Sequence, residues 1–506
     1  MALIWLGTSS RGCTLFLQCT LLPATSPCCE MGNLQSSRRK KFDDIESRGY
    51  SKAPLGGWLA RRSVRAVVPV LLFIILVAGF LHIFDFLPSS HSTSSIKPAK
   101  KDENRLPPLY YDYHNREIAQ SRQLLDAPYP NGRTGKYIFM ANRVDNLGWG
   151  NAMQEFLLNA YLAYRIDRAH VFDNYTWNQY GGVYTEKDGH LIPSRIPYSV
   201  FLQGPLVGGP WPENDPAPRS VVKEYWDELD GEIPLKDLFE VWIKALTPMK
   251  ERCIEMKNNE YQLFMYYIFG NAKRLLTLWP EFSQSPIIQE FRWSPLIEAG
   301  FHDNRKIFLS SAAEKSVQDT YPYSTIPGLL ALHIRRGDFK DHCKMLVDWN
   351  AVFMGYNSFP EFVDKFTVPE GAGAGMTKIP NTQEAIDTYL QHCYPNIRQI
   401  VAKVEDVRQS QAGKGLKNIF IMSNGDDAWL EKLKKALNKA GHWEKITTTK
   451  DMTLNWEQEY VSQAVDMLIG QRAQVLVGNG FSSLTSNVVM LRMANKNIPP
   501  ESNRFW

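Results

Sequence analysis

The chain has 506 residues, 44% of them hydrophobic, and a formal net charge of +4, so it is long enough for two or three globular domains. The basic excess is local, because residues 31–65 hold nine Lys and Arg against three Asp and Glu. Everything after residue 65 carries a net charge of about −2. A slightly acidic head lacks the charge signature of a nucleic-acid-binding protein, and we expect no nucleic acid among its partners.

A run of nineteen uncharged residues, Ala66–Phe84, predicts a membrane-spanning helix, since about 20 apolar residues cross the hydrocarbon core of a bilayer. Arginines flank its N-terminal side, and the first basic residue beyond it is Lys97. The positive-inside rule then predicts a type II protein with a cytosolic basic tail over 1–65 and a membrane segment over 66–87. The head would lie in the lumen of the Golgi or the endoplasmic reticulum.

Residues 88–130 are predicted to form a flexible stem, because Pro88–Pro108 is rich in Ser, Lys and Pro. The start codon stays open between Met1 and Met31, since the sequence that begins at Met31 fits a myristoylation signal.

Three cysteines follow the membrane segment, so at most one intramolecular disulfide is expected in the head. Cys343 with Cys393 is the first choice over Cys253, because both fall in one predicted domain. The glycosylation sequon at Asn174 fits a lumenal head.

The head begins with the order strand, glycine loop, helix and strand, which is typical of a Rossmann-like unit. The predicted segments are strand Tyr137–Met140, loop Asn146–Asn151, helix Ala152–Tyr164 and strand Ala169–Phe172. An aromatic and helical stretch over 190–310 follows, and we assign it to the core. The predicted N-terminal domain covers 131–325.

Strands and helices alternate again after residue 326, which predicts a second Rossmann-like domain over 326–506. Its predicted strands are Gly328–Ile334, Asn418–Ser423 and Ala473–Gly478. Its predicted helices are 386–407 with a break at Pro395, a helix capped by Asp426 or Asp427 that runs to Leu437, and Leu484–Met493. Because the carboxyl ends of parallel strands face the ligand crevice, the loops after these strands should lie together.

Two of these loops predict an anion site. Arg335 and Arg336 follow the first strand, and arginine can hold a phosphate in a bidentate way that lysine cannot reproduce. Ser482 and Ser483 open a helix, whose N-terminus favours a negative charge. The alternatives are a solvated basic turn paired with Asp338 and serines that only cap the helix.

These residues resemble a known superfamily. His333–Phe339 resembles the His-x-Arg motif shared by the protein O-fucosyltransferases and the α1,2- and α1,6-fucosyltransferases. The stretch from Asp466 to Arg492, with Val477–Ser483 at its centre, resembles the last motif of that superfamily. Gly148–Asn151 is similar to its N-terminal glycine-asparagine loop. The resemblance spans nearly the whole head.

The resemblance implies an α/β fold of the GT-B type, with two Rossmann-like domains behind the type II transmembrane anchor. It places the acceptor mostly on the N-terminal domain and the donor GDP-fucose mostly on the C-terminal one. No Asp-x-Asp motif for a metal occurs in the sequence, so neither a metal nor another cofactor is expected.

The resemblance also assigns roles to residues. Arg335 matches the arginine that binds the β-phosphate and stabilises the leaving diphosphate, which makes it the predicted catalytic residue. The general base stays open, with Asp145 before the glycine loop and Glu155 after it. The predicted nucleotide-sugar-binding residues are Gly148, Gly150, Asn151, His333, Arg335, Asp466, Ser482 and Ser483.

We therefore expect a membrane-anchored lumenal glycosyltransferase that moves fucose from GDP-fucose to a protein or glycan hydroxyl, with inversion and without a metal. Breaking a sugar–phosphate bond leaves negative charge on the diphosphate, which a fixed arginine and a helix N-terminus stabilise. Two alternatives stay open: a GT-B transferase that uses another nucleotide sugar, and a non-catalytic membrane-tethered scaffold with the fucosyltransferase fold.

Overall fold

The computed structural model describes Leu6, Gly7 and residues 105–506, except for 118–135, 142–143, 179–180, 188, 205, 207–219, 224–232, 258–261, 270–271, 315–316 and 319. The described elements belong to one compact unit. The predicted membrane segment, nearly all of the predicted cytosolic tail and most of the predicted stem lie outside the described residues. Within the described part, no helix is long and apolar enough to cross a bilayer.

Most strands are short and belong to two parallel sheets. In chain order the strands are β1 (Leu6–Gly7), β2 (Tyr137–Met140), β3 (Ala169–Phe172), β4 (Tyr175–Thr176), β5 (Tyr184–Lys187), β6 (His190–Pro193), β7 (Arg195–Ile196), β8 (Leu202–Gln203), β9 (Ser220–Lys223), β10 (Cys253–Met256), β11 (Arg292–Trp293), β12 (Ile326–Ile334), β13 (Asn418–Ser423), β14 (Lys445–Thr448), β15 (Ala473–Gly478) and β16 (Asn503–Phe505).

Helices connect the strands and cover the sheets. They are α1 (Trp149–Arg165), α2 (Tyr198–Phe201), α3 (Leu235–Leu246), α4 (Met265–Phe269), α5 (Trp279–Phe282), α6 (Pro286–Gln289), α7 (Pro295–Phe308), α8 (Ser311–Glu314), α9 (Phe339–Asp348), α10 (Ala374–Thr377), α11 (Gln383–Cys393), α12 (Ile397–Gln409), α13 (Asp427–Ala440), α14 (Trp456–Glu459), α15 (Ser462–Arg472) and α16 (Ser483–Ala494). Residues 111–117 are also helical. Short 3-10 turns cover Ala272–Leu278, Gly355–Ser358, Thr449–Asp451 and Pro500–Ser502.

The first sheet has the strand order β1-β3-β2-β10-β9, with every pair parallel. Residues Ile138 and Met140 of β2 face the main core and α1, whereas Tyr137 and Phe139 face the opposite side. This alternation is the period of two that a strand imposes.

The second sheet has the order β14-β13-β12-β15-β16, again with every pair parallel. Helices α12 and α13 pack on one face, and α7, α15 and α16 pack on the other. Strand β12 is central and buried except at Pro327, as expected for a parallel strand covered on both faces. The sheet is therefore of the doubly wound type, in which ligands bind at the carboxyl edge.

One continuous apolar core joins the two sheets through α1 and α16. Helix α7 precedes the predicted domain boundary at 325/326, yet it packs on the second sheet. The ring of Phe308 lies 5.7 Å from that of Phe420 on β13, and the Asn418 side chain donates to the Phe308 carbonyl.

A disulfide joins Cys343 on α9 to Cys393 on α11, with 5.9 Å between their Cα atoms. This confirms the predicted pairing. It fixes the segment that follows the two arginines against a helix of the second sheet. Cys253 on β10 is buried and is not part of this disulfide.

Candidate active site

The predicted loops meet at the carboxyl edge of the second sheet. The backbone N–H of Arg336, just after β12, donates to Asn424 Oδ1 over 2.8 Å. The Asn424 side-chain amide returns a bond to the Arg336 carbonyl over 3.0 Å. This reciprocal pair fixes the loop after β12 to the loop after β13.

The two arginines point in opposite directions. Leu332 and Ile334 belong to the core on the α12 and α13 side, and Arg336 continues this series. His333 and Arg335 lie on the other face, since side chains alternate along an extended chain. The two arginines therefore lie on opposite faces of the second sheet. Arg336 is on the side of α12 and α13, and Arg335 is on the side of α16.

Arg335 has the features of an anion-binding group. Its side chain is 33% exposed, and its Cζ lies 4.7 Å from the centroid of the Phe339 ring. Its pair with Asp338 is long, at 3.4 Å, and the Asp338 side chain is 67% exposed, so this ion pair is weak. Arg335 Nε is buried without a hydrogen-bond partner. The predicted salt bridge exists, but it does not use the full donor capacity of the guanidinium.

His333 is a buried positioning group. Its Nδ1 lies 2.7 Å from Thr485 Oγ1 in the first turn of α16, and its carbonyl accepts from Trp506 Nε1 over 2.9 Å. Burial, with a smaller effect from the charge of Arg335, lowers the pKa of His333 to about 3. The imidazole is therefore neutral at pH 7 and connects the end of β12 to α16.

The loop between β15 and α16 lets the helix approach the sheet closely. A Cβ on Gly478 would lie 2.2 Å from Thr485 Cγ2, so only glycine fits there. The carbonyl of Gly480 accepts from the Met354 backbone and from the Asn357 side chain. The loop is thus anchored by the segment after α9.

Ser482 is the N-cap residue of α16, but its side chain makes no capping hydrogen bond. The nearby hydroxyl of Thr485 bonds His333 instead. The interpretation that these hydroxyl groups only cap the helix is therefore not supported. The start of α16 keeps the positive dipole end that favours an anion.

The glycine loop of the first half touches the start of α16. A Cβ on Gly150 would lie 2.6 Å from Ser483 Oγ and 2.7 Å from the backbone nitrogen of Leu484. The Asn487 side chain donates to the Gly150 carbonyl over 2.6 Å. Two motifs more than 330 residues apart in sequence are thereby in direct contact, and the N-termini of α1 and α16 lie next to each other.

The other residues of the glycine loop have different environments. Gly148 is exposed and Asn151 is half-buried, at the start of α1. Trp149 is a core residue, because its ring stacks on Phe201 with 3.8 Å between centroids. Glu155 is buried and accepts the Val144 backbone N–H over 2.6 Å, so it closes the loop that precedes α1.

Asp466 lies beneath the end of β14. It is buried in α15, and Thr449 Oγ1 donates to its carboxyl group over 2.8 Å. Burial raises the pKa of Asp466 to about 8, against the smaller lowering effect of the Thr449 bond. Asp466 is thus mostly protonated at pH 7 and does not carry a full negative charge at the site.

Arg492, the last residue of the predicted motif, is structural. It is fully buried, and all its donors reach carbonyl or side-chain oxygens of α15, its neighbouring strand and the C-terminal segment. The sequence did not identify Asn357 or Trp506, which also hold the site in place, because neither lies beside a strand end that the pattern predicted.

In the described residues, no group of three or more His, Cys, Asp and Glu side chains forms a candidate metal site.

Comparisons with known proteins give a family match. Residues 243–495, half of the chain, match the family model described as GDP-fucose protein O-fucosyltransferase. Among solved structures, POFUT1 in complex with GDP-fucose is 16% identical, with a TM-score of 0.44, and the match covers 74% of this chain and 99% of that chain. A mutant of Arabidopsis thaliana FUT1 in complex with GDP is 10% identical, with a TM-score of 0.31, and 79% of each chain is covered. No curated protein sequence matches. The family match is therefore carried by the sequence model and not by these low structural similarities.

The Gly150 contact predicts that alanine destabilises the protein at Gly150 but not at Gly148. Gly150→Ala should lower the free energy of unfolding by about 1–3 kcal/mol, because the new methyl group would overlap the backbone of α16. Urea unfolding of the purified chain measures this. Gly148→Ala is the matched control, since a Cβ at Gly148 meets nothing within 4 Å. Equal stability of the two variants would contradict the contact.

The raised pKa of Asp466 predicts a pH effect on stability. The unfolded chain loses this proton near pH 3.8, whereas the folded chain keeps it up to about pH 8. The group therefore costs increasing stability as pH rises between these values. Asp466→Asn cannot ionise, so its free energy of unfolding should fall less than the wild type's between about pH 5 and pH 8. Asp427→Asn, at an exposed carboxylate, is the control; parallel curves for wild type and Asp466→Asn would exclude a raised pKa.

Proposed function

Since the chain belongs to the GDP-fucose protein O-fucosyltransferase family, we propose that it transfers fucose from GDP-fucose to a hydroxyl group of a protein or glycan. The chain is a glycosyltransferase of the fucosyltransferase class. The observation that carries the donor assignment is the arrangement at the carboxyl edge of the second sheet. There Arg335 has unused donor capacity, and the N-termini of α1 and α16 lie together.

The diphosphate of the donor is proposed to lie between Arg335 and the start of α16. As the sugar–phosphate bond breaks, negative charge accumulates on the diphosphate. Arg335 would bind a phosphate oxygen, and the first backbone N–H groups of α16 would donate to the same anion. The neutral His333 holds β12 and α16 at a fixed separation, so these donors are already oriented before the substrate binds.

The proposed transfer inverts the sugar and uses no metal. In an inverting reaction the acceptor oxygen attacks from the side opposite to the leaving diphosphate. Arg335 and the two helix N-termini would supply the positive charge that a divalent cation supplies in other transferases. The two parallel sheets with flanking helices are compatible with the proposed GT-B architecture.

His342 on α9 is proposed as the general base. Its ring centroid lies 4.9 Å from that of Phe339, whose face Arg335 covers. His342 and the Arg335 guanidinium are therefore less than about 10 Å apart, so both side chains can reach the same bound substrate pair. Burial, followed by the charge of Arg335, lowers the pKa of His342. The imidazole is then neutral at pH 7 and can accept the acceptor's proton.

The proposed location is the lumen of the Golgi or the endoplasmic reticulum, with the head held by a single type II membrane segment over 66–87. Support comes from the apolar run with basic residues on its N-terminal side. The Cys343–Cys393 disulfide is consistent with an oxidising compartment.

Removing the Arg335 side chain tests the donor site. Arg335→Ala should abolish both fucose transfer and the thermal stabilisation by GDP, while the thermal midpoint without ligand stays nearly unchanged. The reason is that the side chain is one-third exposed and makes only a weak ion pair. Arg335→Lys should also bind GDP poorly, because an ammonium group cannot hold a phosphate bidentately.

The same thermal-shift titration with GDP, UDP and CMP identifies the nucleotide. Stabilisation by GDP that EDTA leaves unchanged is expected. A preference for UDP would indicate another donor, and a large loss of stability in ligand-free Arg335→Ala would mean that the arginine is structural. Transfer that EDTA abolishes and manganese restores would contradict the metal-free mechanism.

The base assignment predicts a pH profile. The rate of transfer should fall as pH drops through the lowered pKa of His342, because the protonated imidazole cannot accept a proton. His342→Gln should reduce kcat by about 10²–10⁴-fold and lose this acidic limb, with GDP stabilisation unchanged. His442→Gln, at an exposed histidine, is the control. An unchanged acidic limb in His342→Gln would assign the base elsewhere.

A further inference from the structure

A cavity lies on the face of the second sheet opposite to Arg335. It measures about 470 Å³ and is lined by Arg336, Tyr394, Pro395, Asn396, Ile397, Arg398 and Trp429. We call it the Arg336 pocket. Its walls come from the end of β12, the connection from α11 to α12, and the first turn of α13. It therefore opens at the same edge of the sheet as the donor site, but behind it.

Arg336 is a buried cation whose charge is not balanced by a carboxylate among the described residues. Its side chain is 5% exposed, and the guanidinium lies between the rings of Tyr394 and Trp429, 4.4 and 4.1 Å from their centroids. Nη2 donates to the Pro395 carbonyl. Nε and Nη1 are buried without hydrogen-bond partners. A buried charge with unused donors is costly unless a partner binds to it.

Arg492 shows how the same fold stabilises an arginine that is purely structural. Its guanidinium is also fully buried, but it donates to the carbonyls of Gly470 and Ala473 and to the side chains of Ser502 and Asn503. Every donor nitrogen of Arg492 has an oxygen partner. Arg336 differs because two of its three nitrogens have none, and these nitrogens belong to a residue that lines an open cavity.

The other charged residue that lines the Arg336 pocket is also a cation. Arg398 is exposed at its rim. Helix α12, thirteen residues long, begins at Ile397, and the Asn396 side chain caps only the Gln399 N–H. The preceding N–H groups and the helix dipole therefore point toward the same space. None of the seven lining residues is acidic.

We propose that the Arg336 pocket binds an oxyanion, a carboxylate or sulfate of an acidic sugar or the free inorganic anion. In this arrangement Arg336 and Arg398 donate to the anion, and the apolar parts of Tyr394, Ile397 and Trp429 contact the rest of the ligand. The inference does not depend on the nature of the donor, because the pocket and Arg335 lie on different faces of β12.

The experiment measures anion binding with the donor site disabled. Full-length Arg335→Ala is titrated with sodium sulfate, sodium glucuronate and neutral glucose at constant ionic strength, and thermal stabilisation and calorimetric affinity are recorded. Sulfate or glucuronate should stabilise this variant, and glucose should not. Tighter binding of glucuronate identifies an acidic sugar as the ligand, whereas tighter binding of sulfate identifies the free anion; both support the oxyanion site.

Arg398→Ala, added to Arg335→Ala, should weaken anion binding about tenfold, the loss expected for a charge-assisted hydrogen bond. Arg408→Ala is the matched control on the same helix, since Arg408 pairs with Glu405 and does not line the pocket. Arg336→Met should abolish binding. Because this buried substitution can impair folding, the exposed Arg398 carries the test if the Arg336 variant does not fold.

Three results would overturn the proposal. One is the absence of stabilisation by either anion in Arg335→Ala, which would place any anion binding of the wild type at the donor site. Another is an equal effect of Arg398→Ala and Arg408→Ala. The third is equal stabilisation by glucose. GDP binding to the wild type is measured separately, so a failure here leaves the donor assignment untouched.

Discussion

The candidate site depends on the contact between Gly150 and the first turn of α16. Two helix N-termini from opposite ends of the chain meet there, because Gly150 lacks a Cβ and Asn487 binds its carbonyl. Each N-terminus carries a partial positive charge, so bringing the two together is unfavourable without an anion between them. The diphosphate of the proposed donor would remove that cost. The contact at Gly150 joins the two halves of the head, and it also makes the site favour a negatively charged ligand.

Strand β12 determines which groups face that ligand. Its buried apolar residues fix its register in the sheet, and the period of two then sends His333 and Arg335 to one face and Arg336 to the other. A shift by one residue would exchange the roles of the two arginines and bury an apolar side chain in the donor site. The apolar half of the motif is thus as important for the chemistry as its basic half.

The sequence predicted the strands that carry the site because their apolar runs are bounded by clear turn residues. Strands β2, β3, β13 and β15 begin and end where the pattern placed them. Strands β10, β14 and β16 were missed, since Cys253–Met256, Lys445–Thr448 and Asn503–Phe505 mix polar and apolar residues and are recognisable only by their partners in the sheet. The Arg336 pocket was equally hidden, because Tyr394 and Trp429 lie far from Arg336 in sequence and meet it only in the fold.

The arginines of this fold differ in how their charge is compensated. Arg492 gives all its donors to oxygens of the protein, which makes it part of the folded framework. Arg335 and Arg336 keep unused donors on opposite faces of one strand. Burying a guanidinium without such partners costs free energy of folding, and a bound anion returns that energy as binding. We therefore expect ligands to stabilise this edge of the sheet more than any other part of the described chain. Hydrogen exchange at Ile334–Phe339, measured with and without GDP and with and without sulfate, would show how much each ligand stabilises this edge of the sheet.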